Sequence, residues 1–278
     1  MNILNIIEEI EKTDADIYER LSPRRRVLKS FTAFGSKIAL ASLPLALGSM
    51  FKKAYGQTAN SVIDVLQFAL TLEYLENEFY QNAFTVNPSL IPAGPAQGAI
   101  AAIRDHEKAH VDFLKSTITA LGSTPVSKPT FDFSAGNGSG NGPFKDVYTN
   151  YDLFLAVAQT FEDTGVRAYK GQAPALVQQN AILEAALNIH SVEARHASHI
   201  RQMRKARGAD VKPWITGKES GIGAAVQASY DGEENTKQAN VEITNINGFE
   251  ISADAASEAF DEPLTKEQIL AIVNPFIV

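Results

Sequence analysis

The chain of 278 residues contains no cysteine. That absence excludes disulfides, thiolate metal sites, iron–sulfur clusters and cysteine nucleophiles. It leaves the cellular compartment open. Tryptophan occurs once, at Trp214, where it reads as a packing residue of the C-terminal part. No run of about 20 apolar residues is present, the length that a stable membrane span requires. Positive charge is scarce outside the N-terminus. Residues 1–56 hold nine Lys/Arg and six Asp/Glu, and the remaining residues hold 16 basic against 26 acidic. A body that acidic is a poor ligand for nucleic acid. Hydrophobic residues make up 45%, the ordinary share for a globular chain.

Residues 1–56 read as an export signal rather than as part of the fold. Ser22-Pro23-Arg24-Arg25-Arg26-Val27-Leu28-Lys29 resembles the twin-arginine consensus, with Val27 where Phe is usual. A moderately apolar stretch from Ile38 to Phe51 follows, interrupted by Pro44. It is too short to span a bilayer and suits a signal segment, with small residues before Gln57 where cleavage would fall. The expectation is an exported protein, periplasmic or in the cell envelope.

What is present in strength is one motif that occurs twice. Residues 103–114 read IRDHEKAHVDFL and residues 189–200 read IHSVEARHASHI, so Glu107 pairs with His110 and Glu193 with His196 as Glu-x-x-His. Residues three apart share a helix face, so each motif aims a carboxylate and an imidazole at one point. Each copy has an upstream helix with an acid and a tyrosine seven residues apart, Glu73 with Tyr80 and Glu162 with Tyr169. Glu76 competes with Glu73 for the ligand position. Alignment through the tyrosines favours Glu73, and alignment through the distance to Glu-x-x-His favours Glu76. The tyrosine comparison stays within one rigid helix, which decides for Glu73. His106, His190 and His199 read as surface groups or outer partners of the site, and the two tyrosines as core residues with a bonded hydroxyl.

Apolar periodicity places four helices around these residues, over about 61–84, 95–121, 150–170 and 180–206. Ser61 to Asp64 forms a weak capping box. Pro95 suits a first turn, and Gly122 and Gly208 suit helix ends. Gly171 and Pro174 are expected to stop the third helix. Residues 123–148 include SAGNGSGNGP, which has no helical pattern. Because each helical pair alone would leave its apolar and ionisable face exposed, the stretch reads as a long crossover within one domain. The result is a four-helix bundle, residues 57–208, made of two similar hairpins. A C-terminal extension, residues 209–278, is expected to pack on it. Asn247-Gly248 signals a β-hairpin turn there, and Thr265 with Gln268 signals a capped short helix.

Four carboxylates and two imidazoles (Glu73, Glu107, His110, Glu162, Glu193 and His196) form a ligand set for two divalent first-row ions, especially iron or manganese. Four carboxylates cancel the charge of two such ions. Without metal they would repel one another and lose solvation, so the arrangement is costly as mere structure.

On these motifs, residues 60–206 resemble the ferritin-like superfamily, close to the ferritin-like-domain proteins that include plant desiccation-related proteins. The resemblance implies the same six ligands. Tyr80 and Tyr169 fall where bacterioferritins and rubrerythrins often keep a tyrosine. It also implies redox chemistry with O2, peroxide or Fe(II) as small substrates, either ferroxidase or peroxide-consuming. The absence of cysteine means that a rubredoxin-type electron supply would come from a partner. The alternative it leaves open is a non-catalytic metal-binding or desiccation-associated scaffold. A homo-oligomer is compatible with either.

Overall fold

The computed structural model describes residues 59–278, with side chains from Val62 onward. The signal-like segment therefore lies outside the described residues. Among the described residues, no helix is long and apolar enough to cross a membrane.

Four long helices carry the architecture: α1 (Ala59–Thr85), α2 (Pro95–Ala120), α3 (Tyr151–Gln172) and α4 (Asn180–Ala206). Short loops make α1–α2 and α3–α4 into two helical hairpins. α1 also meets α3, and α2 meets α4. Their ends follow local chemistry. Pro95 opens α2, and the Asn150 side chain accepts the Leu153 N–H at the start of α3. Gly122 and Gly208, both at positive φ, turn the chain away after α2 and α4.

Two helix ends differ from the expectation. α1 begins at Ala59, so Ser61 lies inside the helix rather than at its start. α3 runs through Gly171 to Gln172 and continues into a 3-10 turn at Ala173–Leu176. Gly171 is there for close approach, because a Cβ would lie 2.0 Å from the Leu264 carbonyl oxygen.

The crossover, residues 121–150, is irregular but tied down. The Asp132 carboxylate accepts the backbone N–H groups of Ser134, Gly138 and Gly140, which organises the glycine-rich run around one acceptor. Backbone bonds from Asp132 to Phe276 and from Asn137 to Pro275 tie it to the C-terminus. Phe133, Phe144 and Val147 enter the core beside Phe79 and Phe154.

The C-terminal residues cover the outer face of α3. Every residue from Phe154 to Tyr169 is buried. An ordinary bundle helix keeps a polar outer stripe in water. Here Gln159, Asp163 and Arg167, four residues apart on that face, bond to the tail instead. Arg167 donates to the carbonyls of Ser229, Asp231 and Glu262 and pairs with Glu233 at 2.7 Å. Asp163 pairs with Arg201 and accepts the Tyr230 hydroxyl at 2.7 Å. Ile269, Val273 and Phe276 add apolar contact, through α6 (Lys266–Val273) and the turn after it.

Thr265 and Gln268 cap α6 reciprocally, as a capping box. The hairpin differs from the sequence reading. The paired strands are β1 (Lys237–Gln238) and β2 (Val241–Glu242), joined through Ala239 and Asn240, both at positive φ. Asn247-Gly248 does form a tight turn, with both residues at positive φ and Phe249 N–H bonded to Ile246 O. No strand ladder flanks that turn, because its apolar neighbours have no face to bury; Phe249 is 71% exposed. A short helix, α5 (Ala253–Ser257), follows. Trp214 is half exposed rather than packed in the core.

Candidate metal centre

The repeat brings all six sequence-selected residues to the middle of the bundle. They form two groups of four whose ligand atoms lie within 4.8 Å of one another: Glu73, Glu107, His110 and Glu193, and Glu107, Glu162, Glu193 and His196. Glu107 and Glu193 belong to both groups. Each hairpin therefore contributes one shared carboxylate, one carboxylate belonging to a single group and one imidazole. All four carboxylates are fully buried, and both imidazoles are buried.

The imidazoles face inward through Nδ1. His110 Nδ1 lies 3.2 Å from Glu73 Oε2, 3.1 Å from Glu107 Oε2 and 3.2 Å from Glu193 Oε1. His196 Nδ1 lies 2.9 Å from Glu107 Oε1 and 3.2 Å from Glu162 Oε2. On its far side, His196 Nε2 lies 2.9 Å from His106 Nδ1. If that nitrogen pair shares the His196 Nε2 proton, Nδ1 is left as the lone-pair nitrogen that a metal needs. His190 is bonded away from the site, to the Val166 carbonyl.

The tyrosines cross between the hairpins. Tyr80 on α1 donates to Glu162 on α3 at 2.5 Å, and Tyr169 on α3 donates to Glu73 on α1. Burial, reinforced by the partner carboxylate, pushes both phenols well above their ordinary range, so they stay protonated donors.

Electrostatics shows how poorly the cluster is balanced by itself. Burial pushes Glu73 up to about 7, with His110 opposing, and raises Glu193 well above the usual carboxylate range. Glu107 goes the other way, to about 2, because the His110 and His196 imidazoles beside it outweigh the cost of burial. His196 rises to about 11 against burial, drawn first by Glu162 and then by Glu107. Protons are thus shared among groups that cannot all be charged.

Glu107 Oε1 and both Glu193 oxygens are buried and accept no hydrogen bond, although imidazoles approach two of them. Leaving a buried acceptor unmet costs about 1–3 kcal/mol. The unmet oxygens belong to the two residues common to both groups. Those are the atoms that two cations would satisfy, so the donor set fits a pair of hard to borderline divalent ions.

Glu76 is buried but joins neither group. Its counterpart in the second hairpin is Gly165, since 76 − 73 equals 165 − 162. A Cβ at Gly165 would lie 3.1 Å from Glu193 Oε2 and 3.2 Å from Glu76 Oε1. The Glu76 side chain thus fills space that its own counterpart leaves empty. Sequence reasoning did not find this role for Gly165. The signal was there, as a glycine three residues after Glu162 in an otherwise well-formed helix. It also left Asp163, Arg167 and Arg201 unread.

A four-helix bundle built from two similar hairpins, with paired Glu-x-x-His motifs facing two further glutamates, defines a class of helical bundles with a carboxylate–histidine interior. A family model described as a ferritin-like domain matches residues 61–206, and the chain belongs to that family. No curated protein matches the sequence.

Proposed function

We propose that the protein is a dinuclear metal–carboxylate oxidoreductase that uses O2 or peroxide, with iron or manganese as the metal. The observation that carries this reading is the pair of ligand groups sharing Glu107 and Glu193, three of whose four buried oxygens accept no hydrogen bond. Glu107 and Glu193 would serve both metal positions. Glu73 with His110, and Glu162 with His196, would complete one position each. Two such ions would supply an electron pair to dioxygen or peroxide, or Fe(II) itself would be the substrate oxidised.

The chain's own contributions follow from the geometry. Tyr80 and Tyr169 hold Glu162 and Glu73 by hydrogen bonds, which limits carboxylate rotation. His106 beside His196 favours the ring orientation that presents Nδ1. Burial excludes bulk water and strengthens every charge interaction inside. The carboxylate-rich set suits redox-active iron or manganese better than zinc.

The test is metal titration of the purified protein, followed by anaerobic loading with Fe(II) or Mn(II) and exposure to O2 or peroxide. Binding of about two ions per chain and consumption of an oxidant is the expected result. A fully loaded protein that turns over neither oxidant would leave the scaffold reading standing. Export by the twin-arginine route belongs to the same proposal, on the motif at Arg24-Arg25. Replacing both by Lys should retain the protein inside the cell, as read by fractionation.

A further inference from the structure

The repeat relates the two ends of the bundle position by position. Matching Glu73 to Glu162 offsets α1 from α3 by 162 − 73 = 89, and matching Glu107 to Glu193 offsets α2 from α4 by 193 − 107 = 86. The end beyond Tyr80 is filled. Phe79 stacks on Phe154 at 4.9 Å and meets Phe161 edge-on at 5.0 Å, with Ile100 fully buried nearby in the same core. At the other end the counterparts of Phe79, Phe154, Phe161 and Ile100 are Ala168, Val65, Leu72 and Ala186. Each is smaller. Phe68 for Val157 and Ile182 for Ala96 run the other way without closing the gap.

The difference leaves a cavity of about 20 Å³, partly enclosed and with an apolar lining. It lies one helical turn from the cluster. Ala69 is four residues before Glu73, Leu114 four after His110, and Ile189 four before Glu193, and all three line it. Tyr169 lines it too, and its hydroxyl reaches Glu73.

We propose that this cavity is the docking place for dioxygen on its way to the carboxylate–histidine cluster. The proposal rests on the redox reading above and narrows its two oxidants to O2. A water held in a cavity needs about two to four polar partners, and this lining offers none. Hydrogen peroxide has the same requirement, and burying a hydroxyl unbonded costs about 1–3 kcal/mol. Dioxygen has no hydrogen bonds to lose. The volume takes a diatomic molecule and excludes an acyl chain or an aromatic ring.

Xenon is the probe, because it is apolar and of similar size. Crystals of the metal-free protein under xenon pressure should show density beside Ala168 and Tyr169. Ala186→Ile installs the residue that fills the other end, and should abolish that density. Ala69→Val is a second variant with the same expectation, and thermal melting establishes that each is folded. In Fe(II)-loaded protein either variant should slow oxidation by O2 about tenfold, a barrier raised by about 1.4 kcal/mol, and leave oxidation by peroxide unchanged. Absence of xenon density overturns the proposal. So does an equal slowing with both oxidants, which would mean that the substitution acts through the cluster. Failure of the redox reading looks different: the wild type reacts with neither oxidant whatever xenon does, and the dioxygen assignment falls with it.

Discussion

The two hairpins are alike at the ligands and unlike immediately outside them. Glu73, Glu107 and His110 superpose in role on Glu162, Glu193 and His196, and the tyrosines exchange hydrogen bonds reciprocally. One step out, the counterparts part. His106 stands beside His196, but the residue equivalent to His106 in the second hairpin is Val192, which has no polar atom to offer His110. Glu76 faces Gly165. The aromatic-filled end faces the hollow one. Six side chains that must converge on one point leave little freedom, whereas their surroundings need only fill space and satisfy polar atoms. A repeat can therefore keep the first and differentiate the second.

The likeness would break most completely at the shared carboxylates. Glu107→Ala or Glu193→Ala should abolish metal binding at both positions, because each belongs to both groups. Glu73→Ala should lose one ion and keep the other. Metal analysis after dialysis reads the difference, and equal losses in all three variants would mean that the groups are not organised around shared residues.

The filled end should be much more sensitive to truncation than the hollow one. Phe79→Ala should cost about 3–5 kcal/mol of stability in denaturant titration, since it removes a ring packed against those of Phe154, Phe161 and Phe133. Leu72→Ala, at the counterpart of Phe161 beside the cavity, should cost less than Phe161→Ala does.

The inequality of the histidines predicts inequality of the two metal positions. His106→Ala should weaken one ion by about 10- to 100-fold and leave the other unchanged. Val192→Ala should alter neither. Competition by protons bears on both positions. Glu73, raised to about 7, must give up its proton to bind, so occupancy should fall as pH is lowered through that value. Calorimetric titration at several pH values measures it, and an affinity that rises towards acid would contradict the assigned cause.

The smallest expected effect is at Glu76. Glu76→Ala should keep both ions, whereas Gly165→Ala, whose methyl would press on Glu193, should weaken them. The reverse order would mean that Glu76 rather than Glu73 is the ligand and that the repeat was aligned wrongly.

Much of this was legible in the chain itself. Spacings of three, four and seven residues translate directly into one face of a helix, so the four long helices and the six inward residues could be named before any coordinates. The same rule misread the start of α1, and it misread the stop at Gly171, where the deciding partner, Leu264, is distant. Gln159, Asp163 and Arg167 show the limit most clearly. Their spacing of four marks a polar face, and a polar face ordinarily means water. That it is buried against Ser229, Asp231 and Glu262 depends on contacts more than 60 residues away.

The sequence by itself determined the repeat, the helix periodicity and the donor chemistry of Glu-x-x-His with its partner acid. These are local properties, carried by backbone geometry over one or two turns. Only the tertiary structure decided which carboxylates are shared, that Glu76 occupies the space left by Gly165, that the tail seals α3, and that one end of the bundle is hollow. Each of those depends on how close two separate helices come and on what volume remains between them. Side-chain size can be read along a chain, but the gap it must fill exists only once the helices have packed.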